Sequence, residues 1–167
     1  MTTNSVNPPR DPAAAPLLEL RAAAPGCTCF KLRSLSRRVT QLYDQFLAPS
    51  GLRVTQYSLI AHARRRGEAL APTVSELAQA LVTDRTTLTR NLRPLVEAGL
   101  VAVGNGADAR SKAVTVTAAG EAAYQGARPL WRLAQARMDQ LAGVERLHDL
   151  HVLIEAILPR FGVAHEV

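Results

Sequence analysis

The sequence predicts a mostly α-helical fold with one short β-hairpin set into it. Three observations carry that expectation. Apolar residues recur at helical spacing through most of the chain from residue 27 onward. Hydrophobic residues make up 47% of the 167 but aromatics only 4%, so the core is mostly Leu, Ala and Val, a composition that leans toward helices. Only two short runs, residues 100–103 and 113–117, read as strands, and the segment between them, GNGADARSK, carries a turn at Asn105-Gly106.

Taken in order, residues 1–25 hold five of the ten prolines and are expected to be a disordered tail. Residues 27–48 read as a long helix in which Leu32, Leu35, Val39, Leu42 and Phe46 recur at alternating spacings of three and four, a heptad-like seam. Pro49, Ser50 and Gly51 stop it. A second helix is expected over residues 55–66, capped by Thr55, with Leu59, Ile60 and Ala63 inward and Gly67 at its end. Arg64, Arg65 and Arg66 gather at its C-terminus, where the helix dipole favours cations.

The stretch TVSELAQALVTDRTTLTRNLRPLVEAG, residues 73–99, reads as two helices joined by a tight turn. Thr73 with Glu76 three residues on is a capping box. The chain breaks at Val82-Thr83, and Thr83 or Asp84 caps the next helix. That helix has two faces: Leu88, Leu92, Leu95 and Val96 on one, Thr86, Thr89, Arg90 and Arg93 on the other. Pro94 removes one hydrogen bond and should bend it. A helix that hides leucines and shows hydroxyls and guanidiniums suits the DNA major groove. The hairpin then follows as a wing, with Arg110 and Lys112 able to reach phosphates or the minor groove and Asp108 placed to steady Arg110.

Thr117 is expected to cap a helix over residues 118–142, striped by Ala123, Ala127, Leu130, Ala134, Met138 and Leu141 and kinked at Pro129. Gly143 breaks it. A last helix, residues 144–158, carries Leu147, Leu150, His151, Ile154, Ile157 and Leu158 on one side, with His151 expected in an apolar setting. With the first helix, these make more apolar surface than a small winged domain needs, which suggests dimerisation. The expected organisation is therefore a tail over 1–25, a first dimerisation helix over 26–53, a winged helix-turn-helix over 54–117, C-terminal dimerisation helices over 118–160 and a tail over 161–167.

Charge narrows the function. The chain carries a net +6, and between Cys27 and Lys112 thirteen basic and six acidic residues give +7. A positive field centred on the two-helix unit points to a polyanion, nucleic acid first. No apolar run approaches the ~20 residues of a membrane span, and no secretory signal opens the chain, so a cytoplasmic protein with no membrane partner is expected. No nucleophile–base pair, phosphate-cradling glycine loop or metal-ligand set stands out, so an enzyme is not expected, nor any required cofactor. Cys27 and Cys29 are expected as thiols; C-x-C at a helix start places two of them close together and offers a redox or soft-metal sensor. A winged module used only for protein contacts is the alternative from another class; the positive field argues against it.

The ordered run of these pieces resembles the MarR family of bacterial transcriptional regulators. The resemblance covers residues 27–159: GEALAP, TVSELAQAL, TDRTTLTRNLRPLVEAGLV, the D-x-R of Asp108 and Arg110, and VTVTAAG opening a long helix. It implies a homodimer joined through its terminal helices, each protomer offering a winged helix-turn-helix to half of a double-stranded operator. It also implies release by a small ligand, often a phenolic or aromatic acid. The expected DNA contacts are Ser75, Arg85, Thr86, Thr87, Thr89, Arg90, Arg93, Asp108, Arg110 and Lys112; the residues expected to line an effector space are Arg33, Tyr57 and His62. Val82 departs from the Gly or small polar residue frequent in the family's turn.

Overall fold

The computed structural model describes residues 26–64, 71–106 and 111–161. Among them lie six α-helices and one hairpin: α1 (Thr28–Leu47), α2 (Val54–Arg64), α3 (Val74–Ala80), α4 (Arg85–Glu97), β1 (Val101–Asn105), β2 (Lys112–Val116), α5 (Ala118–Ala142) and α6 (Val144–Ile157). Short 3-10 turns follow α1 at Ala48–Ser50 and α6 at Leu158–Phe161. The tail over 1–25, the helix end at Arg65, Arg66 and Gly67, and the wing residues Asp108 and Arg110 fall outside the described residues.

The chain divides into two compact units. In the unit Arg37–Arg137, a single core gathers Leu47 and Leu52, Tyr57, Leu59, Ile60 and Ala63 of α2, Val74, Leu77 and Ala78 of α3, Leu88, Leu92 and Leu95 of α4, Val101 and Val114 of the hairpin, and Ala127 of α5. Each fully buried Leu or Ile contributes about 1.5–3 kcal/mol relative to exposure.

Local chemistry sets the element ends. At α3, Glu76 N–H donates to Thr73 Oγ1 (3.2 Å) and Thr73 N–H donates to Glu76 Oε2 (2.8 Å), a complete capping box. Asp84 caps α4 by accepting the Thr87 N–H at 2.7 Å; hydrogen bonds from Thr87 hold its carboxyl below the usual aspartate range. The helix runs through Pro94 and ends in a Schellman closure: Leu100 N–H donates to Leu95 O and Gly99 N–H to Val96 O, both at 2.9 Å, with Gly99 at φ +68°. Thr117 caps α5, accepting the Gly120 N–H at 3.0 Å.

β1 and β2 pair antiparallel with Val101 opposite Val116 and Asn105 opposite Lys112. The outer edge of β2 is partly covered, since Val114 N–H donates to Pro72 O at 2.9 Å. That bond fastens the hairpin to the entry of α3.

Three sequence expectations are corrected. Thr55 does not cap α2; the helix begins at Val54, whose N–H donates to Asp44 Oδ1 (2.7 Å) on α1, so a residue ten positions away does the work. Val96 is 42% exposed rather than buried with the leucines. At 100° per residue it stands about 80° from Leu88, whereas Leu95 stands within about 20°. His151 is exposed, although Leu147 and Leu150 on the same side of α6 are half-buried.

Between α3 and α4, Val82 adopts φ +49° while 68% exposed. A β-branched residue in the left-handed region is strained by about 1–2 kcal/mol, and its exposed side chain recovers little by burial. Val82→Asn is therefore expected to stabilise the protein by about 1 kcal/mol, read as a higher midpoint in urea; an unchanged or lower midpoint contradicts the strain.

The second unit holds described residues 26–36 and 138–161. α6 buries none of its residues. Phe30, Leu32 and Leu35 of α1, Leu141 of α5, Val152, Leu153 and Ile154 of α6, and Phe161 are all exposed.

Candidate nucleic-acid interface

The cap at Asp84 fixes where α4 begins, and the buried Leu88–Leu92–Leu95 stripe fixes its rotation. Everything opposite that stripe is solvent-facing. Thr86, Thr89, Arg90 and Arg93 are exposed on this side, and Arg85 is exposed at its start. Thr87 is half-buried, its N–H taken by Asp84. Thr89 Oγ1 donates to Arg85 O at 2.8 Å while the residue stays exposed. Ser75 is exposed on the first turn of α3.

The hairpin stands beside this face. Together they enclose an open concavity of about 960 Å³. Its floor is apolar, from Val74, Leu92, Val96 and Val103; its rim carries Arg85, Arg90, Arg93 and Lys112. Lys112 Nζ donates to Asn105 Oδ1 at 2.9 Å, the two residues being cross-strand partners at the end of the hairpin. One carboxylate, Glu97, also lines the concavity, and Arg93 Nε donates to its Oε1 at 2.7 Å. Glu97 and Val103 were not singled out from the sequence, and Asn105, expected in the turn, is instead the last residue of β1, with Gly106 N–H donating to Ser111 O beyond it. The first was legible as the i+4 neighbour of Arg93; the other two depend on how the hairpin pairs.

The residues expected to line an effector space have well-defined surroundings. Tyr57 is buried and stacks on Tyr124 (ring centroids 5.0 Å apart) and on Trp131 (5.9 Å). Burial, reinforced by Tyr124, pushes its phenol far above the ordinary tyrosine range. Arg64 lies over the Tyr124 ring at 4.3 Å and grips Glu121 with Nε and Nη2 at 2.8 and 2.6 Å. That pair holds the Glu121 carboxyl below its ordinary value of 4.5, so its stabilisation is complete above that pH and lost as the pH falls through the lowered value. His62 Nδ1 hydrogen-bonds to Ser58 O of its own helix at 2.7 Å. Arg33 is exposed on α1, in the unit of the terminal helices. Tyr57 thus sits in an aromatic stack rather than in an open space, and neither Tyr124 nor Trp131 was anticipated as its neighbour.

Cys27 and Cys29 are free and exposed. Among the described residues no group of His, Cys, Asp and Glu has metal-binding geometry, and no helix is long and apolar enough to cross a membrane.

The MarR family model matches residues 50–111, which span α2, α3, α4 and the first strand of the hairpin. The structure of the transcriptional regulator MosR of M. tuberculosis in complex with DNA is 42% identical; the match covers 81% of this chain and 99% of that one, with a TM-score of 0.68. A MarR mutant from E. coli complexed with operator DNA is 23% identical over 77% of this chain and 91% of that one, TM-score 0.68. CouR from Rhodococcus jostii RHA1 bound to p-coumaroyl-CoA is 21% identical over 84% and 95%, TM-score 0.64. At those two identities the likeness concerns the fold. No curated protein sequence matches the chain.

Proposed function

The chain belongs to the MarR family of transcriptional regulators, which are not enzymes, and from that membership we propose a repressor that grips an inverted-repeat operator as a homodimer. The observation that carries the proposal is the exposed Thr86–Thr89–Arg90–Arg93 face of α4 beside the basic edge of the hairpin. Phosphate contacts from the positive field supply most of the affinity and make it fall with salt. Arg85, Thr86, Thr87, Thr89 and Arg90 read bases, with Ser75, Arg93, Lys112 and the wing's Asp108 and Arg110 completing the contact set. MosR, the relative of highest identity reported above, is seen with DNA, which supports the reading.

The second chain covers the exposed apolar side chains of the terminal helices. Two-fold symmetry then dictates an operator whose half-sites lie about one DNA turn, ~34–36 Å, apart. Sequencing the genomic fragments retained by the purified protein tests this. Enrichment of an inverted repeat at that spacing is the expected result; fragments without a shared repeat contradict it.

Release by a small aromatic or phenolic acid follows from the same reading. Such a ligand shifts the dimer only by its difference in affinity for the DNA-fitting and non-fitting spacings of the reading heads. The fold neighbour CouR, bound to p-coumaroyl-CoA, supports an aromatic ligand class. Tyr57 and His62 remain proposed contacts within the unit Arg37–Arg137, and Arg33 remains a proposed contact within its own unit.

A specific observation favours a second switch: two free, exposed thiols two residues apart at the start of α1, Cys27 just before the helix and Cys29 in its first turn. A peroxide would take two electrons from the pair, forming one S–S bond and releasing water and an alcohol or a second water. Hydrogen peroxide is expected to weaken operator binding by about tenfold, ~1.4 kcal/mol, in the wild type but not in the Cys27→Ser/Cys29→Ser variant. Equal binding before and after oxidation removes this switch.

A further inference from the structure

We propose that Glu97 sets how sharply this protein distinguishes its operator from other DNA, by holding Arg93 so that its end-on guanidinium edge meets one guanine in each half-site. The inference rests on the DNA-binding reading above.

Glu97 is the one carboxylate among the described residues that line the concavity between α4 and the hairpin. Two ordinary reasons for its presence fail. It is poorly placed for stability. An Arg four residues before a Glu is the weaker order of an i,i+4 pair, the carboxylate sits in the last turn of α4, where the helix dipole is negative, and both side chains are largely exposed, at 80% and 61%. It is equally poorly placed for raw DNA affinity, since a negative charge in a cleft facing phosphates repels them.

What the carboxylate does is occupy Arg93 Nε at 2.7 Å. The Nη1 and Nη2 groups remain, a parallel pair of donors that matches O6 and N7 of guanine. A guanidinium already held loses less freedom on binding. Arg90, by contrast, has no side-chain partner among the described residues. Glu97 therefore acts twice in one direction. It pre-orients Arg93 for a base edge, and it penalises the looser approach in which Arg93 merely neutralises a phosphate. Attraction to the right site and repulsion from the wrong ones both come from a single side chain.

The experiment measures affinity for the operator and for a scrambled duplex across a salt series, for wild type, Glu97→Ala, Glu97→Gln and Arg93→Ala, with a melting curve for each. Glu97→Ala is expected to bind scrambled DNA more tightly and to lose about tenfold in the operator-to-scrambled ratio. Its salt slope should steepen by about one counterion as Arg93 turns to phosphate. Glu97→Gln keeps an acceptor for Nε without the charge, so both affinities rise while the guanine preference stays. Arg93→Ala loses that preference. The exposed carboxylate can be removed without lowering the melting temperature.

A wild-type preference for operator that Glu97→Ala leaves intact, with an unchanged salt slope, overturns the inference alone. So does an Arg93→Ala loss that is equal on every sequence. A wild-type chain with no preference for any duplex overturns the DNA-binding reading and this inference with it.

Discussion

Gly120→Ala is expected to destabilise the protein by about 3 kcal/mol, lowering the melting temperature by roughly 10 °C. Gly120 is buried in the first turn of α5. A Cβ there would collide with the backbone carbonyl oxygen of Leu100 and come within 2.9 Å of both the Leu100 carbonyl carbon and Val116 Cγ1. These are not the tips of flexible side chains. Leu100 O already accepts from Thr117 N–H (3.1 Å) and from Thr117 Oγ1 (3.1 Å), while Oγ1 also lies 2.7 Å from Gly99 O. The end of α4, the start of the hairpin and the start of α5 are clamped at this one point, so relief at Gly120 must shift the wing against the reading helix. Gly126, six residues along the same helix, is the control. A Cβ there meets nothing within 4 Å, so Gly126→Ala should stabilise by about 1 kcal/mol through helix propensity. Opposite signs for the two substitutions in thermal melts confirm the close approach; a Gly120→Ala protein that melts with the wild type denies it.

Arg90→Ala is expected to reduce operator affinity by about 1–3 kcal/mol, some 5- to 150-fold, while changing affinity for scrambled DNA much less. Arg90 is exposed at the middle of the α4 face and lines the concavity. Its free guanidinium can form a bidentate contact with a base edge, and Arg90→Lys should not restore it, because an ammonium lacks the planar fork. Fluorescence anisotropy on the operator and on single-base variants checks the assignment. One base position at which the variant no longer discriminates is the expected outcome. An equal loss on all sequences marks Arg90 as a phosphate contact instead.

Much of this architecture was legible because its signals are local. The Thr73–Glu76 box, the Asp84 cap, the Thr117 cap and both bounds of α5 depend on residues within a turn of one another. The exposed Thr and Arg face of α4 follows from the 3.6-residue period once three leucines are buried. What was not legible depends on distance along the chain. Asp44 caps α2 from ten residues away, and the Tyr57–Tyr124–Trp131 stack joins residues separated by more than sixty positions. Val82 was visible as an unusual residue in its turn, but its positive φ is a backbone property that the side chain opposes. Val96 fell at the margin of the stripe, where a helical wheel decides little. His151 shares its side of α6 with the half-buried Leu147 and Leu150, yet is itself exposed. Arg93 and Glu97 show their i,i+4 spacing in the sequence, yet their significance emerges only when the hairpin closes a concavity around them.

The central claim is that the exposed face of α4, doubled by symmetry, reads a DNA site within a field of phosphate contacts. Titrating the purified protein against the inverted repeat from its own retained fragments and against a scrambled duplex, from low to high salt, tests it most directly. The account predicts two chains per site, a preference for the repeat of about 10³-fold or more, and an affinity that falls with salt with a logarithmic slope near −0.9 per phosphate engaged. Equal affinity for both duplexes, or binding indifferent to salt, would contradict it.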